Sequence, residues 1–319
     1  MDLAKRALAG NRGFGVYAVL VLLYGTMFFY RPDFMQMENI FTMLRQASAL
    51  GVLTLGQLFV ISAGDVDLSV VGIMQLSTSI FMLAFLTFGP MGFVAGVFIA
   101  LAICVLIGLI NGILVTKYRV QAFLSTLFMG AVIIGIRRII FGTTPMGIAP
   151  ELLTRIVRGE RPGWFPNAAL IFLVCAVICF IVFNKTAFGR RVMYTGTNRK
   201  TAFFSGVNTG HTRMIGFCIS AVSALAASMI LIGFTGFAAQ DVMGIGMEMD
   251  ALIAAVLGGN ILGGGRASVV GAVGGVLVIT LVTNAVMLFG LTIQYQYVVN
   301  GTILIIVTLI STFAAGRSQ

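Results

Sequence analysis

Long apolar runs separated by short polar gaps set the pattern of this chain. Runs close to the roughly 20 residues that cross a bilayer fall at 14–30, 47–63, 69–88, 91–116, 121–141, 167–183, 214–237, 268–288 and 292–313, with a shorter one at 249–262. The pattern predicts an all-α membrane protein of about ten transmembrane helices, a single domain over 1–319 rather than a string of soluble units.

Composition strengthens this. Hydrophobic residues make up 59% and charged residues 9%, with mean hydropathy +1.05, against about 45–50% and 25% in a soluble domain. The net charge of +10 would suit nucleic acid, but the charges sit in gaps between apolar runs and not on a basic face threaded with aromatics, so no nucleic-acid partner is expected. Lys5, Arg6 and Arg12 precede the first run as in a secretory signal. No small-residue cleavage site follows, which predicts an uncleaved first helix.

Charge also orients the bundle. Between 185 and 213 lie Lys185, Arg190, Arg191, Arg199, Lys200 and Arg213 without an acid, and the cytoplasmic side retains such residues. The basic amino terminus and Arg317 fall on the same side by parity, so both termini are expected in the cytoplasm. The segment at about 142–166, which mixes Glu151 and Glu160 with Arg155, Arg158 and Arg161, is expected outside.

Gly89, Val94, Gly96 and Asn111 run in the same order as Gly264, Val269, Gly271 and Asn284. An odd number of crossings separates the two sets, the arrangement of an inverted repeat of helices 2–5 and 7–10. Cys104, Gly108 and Gly112 form one small-residue stripe, and Ala267, Gly271 and Gly275 another; such stripes let helices approach closely in lipid.

Catalytic chemistry is nearly absent. The lone His211 lies in the basic segment, and Cys104, Cys175, Cys179 and Cys218 lie in apolar runs as packing residues, without metal-site or disulfide spacing. The run Gly263 to Arg266 lacks the lysine and spacing of a phosphate loop. No catalytic residue, metal or cofactor is expected in this chain, and an energy-coupled transporter would borrow its ATPase from another. Acids at membrane depth cost about 2.5–3.5 kcal/mol on insertion scales and need a reason. Asp65, Asp67 and Ser69 lie between the second and third runs, and Glu248 and Asp250 open the short eighth. They either cap helix amino termini or organise a translocation path or gate. Gln57, Gln75, Asn111, Asn260, Asn284 and Asn300 either bond across helices or line a path for a hydroxyl-rich solute. Arg137 and Arg138 are placed to snorkel to the outer surface.

The stretch Ile61, Ser62, Ala63, Gly64, Asp65, Val66, Asp67, Leu68, Ser69, Val70 resembles the signature of the ribose-type permease family of bacterial ABC importers, written Ser, Gly, Gly, Ile, Asp, Leu, Ser, Val, Gly. Asp65 stands in place of its second glycine, and Val71 delays the last glycine to Gly72. The basic segment is similar too: Phe188, Gly189, Arg190, then Gly196, Asn198, Ala202, Ser205, Gly206, Val207, Asn208. A third block runs Glu248, Met249, Asp250, Ala251, then Ala254 to Gly259, and Gly264, Gly265, Arg266, Ser268, Gly271, with Asn260 and Ala267 departing from the usual residues.

The resemblance implies a multi-pass permease of a bacterial or archaeal cytoplasmic membrane. It pairs with itself or a sister permease, receives a monosaccharide or polyol from a periplasmic or lipid-anchored binding protein, and couples to a cytoplasmic ATP-binding cassette subunit that holds ATP and magnesium. Residues 197–208, with Arg199 and Lys200, would supply the coupling helix. Its basic charge suits either an acidic groove on the ATPase or anionic lipid. Other solutes of the wider group (nucleosides, branched-chain amino acids, signalling sugar derivatives) and an ion-coupled secondary transporter remain alternatives; a membrane-embedded enzyme would need a histidine or metal cluster that the bilayer segments lack.

Overall fold

The structure is a computed structural model that describes residues 15–143, 147–159, 165–239, 241–292, 294–303 and 305. Its helices are α1 (Gly15–Tyr30), α2 (Met37–Ser62), α3 (Val70–Thr116), α4 (Ala122–Phe141), α5 (Glu151–Arg158), α6 (Asn167–Lys185), α7 (Ala187–Thr197), α8 (Arg199–Phe204), α9 (Thr209–Thr235), α10 (Met247–Leu257) and α11 (Val269–Leu288), followed by a helical stretch over 294–303. Among the described residues the one extended pairing is an isolated bridge between Ile148 and Phe237. The architecture is all-α, and α2, α3, α4, α6, α9 and α11 are long and apolar enough to cross a membrane. Lys5, Arg6, Arg12, Glu160, Arg161, Arg317 and most of the run at 292–313 lie outside the described residues.

The helices depart from the apolar runs for local reasons. α3 covers the runs at 69–88 and 91–116 together; its 47 residues would span about 70 Å if straight. Gly89 (φ 64°, ψ −148°), followed by Pro90, breaks it. The two arms fold back on each other, with Phe93 edge-on to Phe81 and Phe85 at 5.7 and 6.4 Å, so α3 makes two passes. α2 starts well before its apolar run because Glu38, Asn39, Thr42, Arg45 and Gln46 make its first turns polar. The run at 249–262 is helical only as far as Leu257, the end of the 11-residue α10, about 16 Å long, half a membrane. The basic stretch at 185–213 is not an open loop but contains α7 and α8, started by the side chains of Thr186 and Asn198, and Asn208 caps α9. The 142–166 segment contains α5, which buries Leu153 and Val157.

Burial sorts the bundle from axis to rim. α2 is the least apolar of the six, yet it is the most buried, while α4 and α6 leave most of their surface exposed. Position in the bundle, and not hydropathy, makes α2 the axis, with α9 packed on it and on α3. Both small-residue stripes lie in helix seams. Gly108 meets the backbone of Phe217 and Cys218, and Gly112 meets Met214 of α9; Gly271 meets Gly258, and Gly275 meets Ala254 of α10. Gly89 and Gly264, paired in the internal likeness, both have positive φ. They lie at opposite ends of the bundle.

Candidate transport core and coupling surface

Two stretches of non-helical backbone enter the bundle from opposite ends. After α2 the chain turns back on itself, with Asp65 N donating to Val60 O at 3.1 Å. Gln57 Nε2 then donates to Asp67 O at 3.1 Å, and Leu68 N to Thr126 Oγ1 at 3.0 Å. The second stretch, between α9 and α10, takes Gln75 Nε2 at Asp241 O and Met243 O, 3.5 and 3.3 Å. Leu68 stands beside Thr126 and Gly72 beside Gly130, so Gln75 is level with about residue 133 of α4, roughly two turns short of its end. Unsatisfied backbone costs several kcal/mol per group in hydrocarbon, so irregular chain at this depth must be enclosed in protein. Gln57, Thr126 and Gln75 provide the partners it needs.

Around the first stretch the side chains form one cluster. Asp67 Oδ1 accepts from Ser69 N at 3.0 Å and Ser69 Oγ at 2.6 Å, and Asn111 Nδ2 donates to Ser69 Oγ at 2.9 Å. Asp67 therefore shapes the turn that delivers Ser69 to the start of α3; it does not cap the free amides of the helix itself. Ser220 of α9 stands beside the same carboxyl. Gln57 Oε1 and Asn111 Oδ1 have no hydrogen-bond partner among the described residues, and Gln57, Asp67, Asn111 and Ser220 are at most 1% exposed. The cluster is a sealed set of acceptors suited to exchanging hydrogen bonds with hydroxyl groups once opened.

The other polar residues singled out in the sequence pair elsewhere. Asp250 takes Asn300 Nδ2 at 2.7 Å and Gln296 Nε2 at 3.4 Å, joining α10 to the helical stretch 294–303, with the half-buried Glu248 two residues away. Asn284 and Asn39 exchange bonds across α11 and α2 at 2.8 and 3.2 Å. Asn260 accepts from Ser268 N at 2.6 Å and donates to Ala255 O at 2.8 Å, closing the turn after α10. The structure thus brings Gln57, Asp67, Ser69 and Asn111 together, sets Glu248, Asp250 and Asn300 in a second group, and gives Gln75, Asn260 and Asn284 separate partners. Thr126, Ser220, Gln296 and Asp241 have no sequence signal of their own, being common polar residues whose importance comes only from what folds against them.

At the basic end three backbone segments meet. Gly265 N donates to Ser62 O at 2.9 Å and Ser62 Oγ to Arg266 O at 2.9 Å, while Gly196 fits between Ser62 and the Gly264–Gly265 pair with no room for a side chain. Asp65 joins this node. Arg213 Nε and Nη2 grip its carboxylate at 2.6 and 2.8 Å, and Arg199 Nη2 reaches Asp65 Oδ1 and Gly64 O, both at 2.9 Å. Next to it opens a cavity of about 700 Å³ lined by Arg119, Lys200 and the start of α4. Beyond it α8 buries Ala202 and turns Phe203 and Phe204 outward, 63% and 85% exposed.

At the opposite end the structure corrects one expectation. Arg138 is half exposed, but Arg137 does not snorkel: it is fully buried and ion-paired with Asp241, which Arg138 also contacts at 3.2 Å. The second irregular stretch passes within reach of α4 and supplies a carboxylate there, which removes the drive to the surface. Burial pushes the Asp241 carboxyl up, and hydrogen bonds and charge from Arg137 and Arg138 more than offset this, leaving it below its ordinary value. A carboxyl lowered in the folded state adds stability above its unfolded pKa, and that stability is lost as pH falls through the folded value. The tie is therefore intact at neutral pH. Arg137→Gln is expected to loosen the 236–246 stretch, read as faster amide exchange there with α2 unchanged.

Helices broken in mid-membrane around buried polar groups are the architecture of a solute permease. The family described as Branched-chain amino acid transport system / permease component matches residues 39–308, and the chain belongs to that family. It is a transport subunit and not an enzyme. It is 31% identical over 298 residues to the ribose import permease protein RbsC of Bacillus subtilis, covering 93% of this chain and 91% of that one. Identity is 27% over 300 residues to the Escherichia coli RbsC, covering 92% and 90%. To the galactose/methyl galactoside import permease protein MglC of Escherichia coli it is 27% over 321 residues, covering 96% and 95%. No solved structure matches the chain.

Proposed function

We propose that this chain is the membrane subunit of an ATP-driven importer for a monosaccharide or similar polyol. The observation that carries the reading is α8. A six-residue helix, started by Asn198 and ended at Gly206 (φ 82°), holds two aromatic rings away from the bundle beside basic side chains. Exposed adjacent aromatics at a basic surface fit a partner groove better than lipid or water. The partner is a cytoplasmic ATP-binding cassette subunit that binds ATP and magnesium. This end of the bundle, with both chain termini, faces the cytoplasm of a bacterial or archaeal cell. Full-length likeness to ribose and galactose import permeases supports the solute class. An external binding protein delivers the solute, and a second permease, identical or sister, completes the membrane unit. ATP binding draws the ATPase subunits together, α8 follows, and the two re-entrant stretches exchange which end of the bundle they seal.

The test is reconstitution of the permease with its ATPase and binding protein in proteoliposomes. Phe203→Ser with Phe204→Ser, or charge reversal of Arg199 and Lys200, is expected to lower solute-stimulated ATP hydrolysis by roughly tenfold with the permease still folded. Normal coupled hydrolysis in these variants would sink the docking role of α8. Solute flux by the purified permease without an ATPase would move the protein to the secondary transporters. Uptake of a branched-chain amino acid in preference to any sugar would reassign the solute.

A further inference from the structure

Asp65 is the residue in the re-entrant turn that the likeness to ribose-type permeases does not explain, since a glycine stands at its place in that signature. In this chain it is a buried carboxylate, 4% exposed at its side chain, gripped by Arg213 (10% exposed) and reached by Arg199 (47% exposed). The two arginines lie on different elements. Arg199 is the first residue of α8, and Arg213 sits in the second turn of α9. Two residues beyond Asp65 comes Asp67, whose carboxylate and carbonyl hold Ser69 and Gln57. Charged contacts from the exposed helix therefore reach the sealed polar cluster through two residues of chain, about 7 Å of backbone.

We propose that Asp65 is a positioning residue that ties the movement of α8 to the Asp67 turn, so that displacement of α8 by a docked ATPase pulls the re-entrant stretch with it. The geometry favours transmission over simple support. Arg199 bonds Gly64 O as well as the Asp65 carboxylate, so it grips both backbone and side chain of the turn. Arg213 holds the same carboxylate by two nitrogens, a paired geometry that resists rotation. Gly64 has φ 83°, so the turn bends at the residue immediately before the tie, in a conformation that favours glycine. A glycine in place of Asp65 would leave α8 in touch with the turn only through the Gly64 carbonyl.

The inference rests on α8 being the docking element, and its test separates the two ideas. In the full complex in proteoliposomes, solute moved per ATP hydrolysed is compared for Asp65→Asn, Asp65→Glu, Arg213→Gln and the double variant Asp65→Asn with Arg213→Gln. Arg213 is mostly buried and stands on α9, not on α8, so its loss cuts the tie without removing a side chain of the docking helix. The expected result is a fall of roughly five- to tenfold in Asp65→Asn and in Arg213→Gln, no further fall in the double variant, retention in Asp65→Glu, and ATPase binding unchanged throughout. Variants that reduce only the amount of assembled permease, with solute per ATP unchanged in what remains, overturn the proposal and leave Asp65 a stabilising residue. Unchanged coupling in these variants beside lost ATPase binding in the Phe203 and Phe204 variant overturns the tie and keeps the docking role. Unchanged behaviour in every variant overturns both.

Discussion

Replacing Gly196 by alanine is expected to abolish uptake, with most of the protein failing to assemble as a monodisperse permease. The new methyl would overlap Ser62 O and Gly265 N and lie 2.9 Å from Gly264 Cα. All three are backbone atoms, so no side chain can swing aside. Overpacking in a close-packed interior costs about 1–3 kcal/mol even where neighbours relax. Here relief would also break the Gly265 N to Ser62 O bond that joins the end of α2 to the turn before α11. Gly210 is the control: a methyl there meets only Asn208 Oδ1 at 3.7 Å and Thr116 Cβ at 3.8 Å, ordinary contacts, and Gly210→Ala should assemble normally. Size-exclusion profiles and uptake of both variants decide the matter; a monodisperse, active Gly196→Ala protein would show that the three-segment junction yields freely.

Replacing Asp67 by alanine is expected to lower uptake by an order of magnitude or more while leaving an assembled permease. The loss strands the amide of the fully buried Ser69, and a buried orphan donor costs about 1–3 kcal/mol. It also frees Ser69 Oγ, and with it the bond from Asn111 that links the two arms of α3. Asp67→Asn keeps an acceptor oxygen in the same place and should retain the greater part of uptake. Gln75→Ala should do less harm, because its donor serves two carbonyls through longer bonds of 3.3 and 3.5 Å and Arg137 still anchors Asp241. Uptake normalised to assembled protein in all three variants is the measurement. Equal, near-normal values for Asp67→Ala and Gln75→Ala would reduce Asp67 to a local turn-former.

Much of the site's vocabulary was legible before its grammar. The acids at 65, 67, 248 and 250 stand out because charge inside an apolar chain is costly, and Asp65, Asp67 and Asp250 each have specific partners in the fold. The reason differs from residue to residue. Gln57 and Gln75 satisfy irregular backbone, Asn260 closes a turn, and Asn284 pairs with Asn39. Sequence spacing gives a polar residue no partner, so a single path drawn through all of them could not be resolved into these separate tasks. Arg137 shows the same limit: next to Arg138 it has the same composition and nearly the same depth, and only the descent of Asp241 into the bundle turns one inward and leaves the other exposed. Asn198 and Asn208, legible as motif residues, prove to be helix starts, a role their side chains perform locally.

By itself the sequence determined what depends on summed, local terms. Membrane placement follows from transfer free energy added over about 20 residues at a time, the clustering of Lys and Arg at one end of the bundle from the charge between runs, and the need for partners around each buried acid from desolvation. Tertiary structure decided what depends on which segments meet. It made the least apolar of the six long helices the axis, folded α3 into two arms at Gly89, stopped α10 halfway, and brought Ser62, Gly196 and Gly264 into one junction. In lipid the apolar faces of two helices are nearly equivalent, so close packing and buried hydrogen bonds select among arrangements. Those terms exist only between surfaces already in contact.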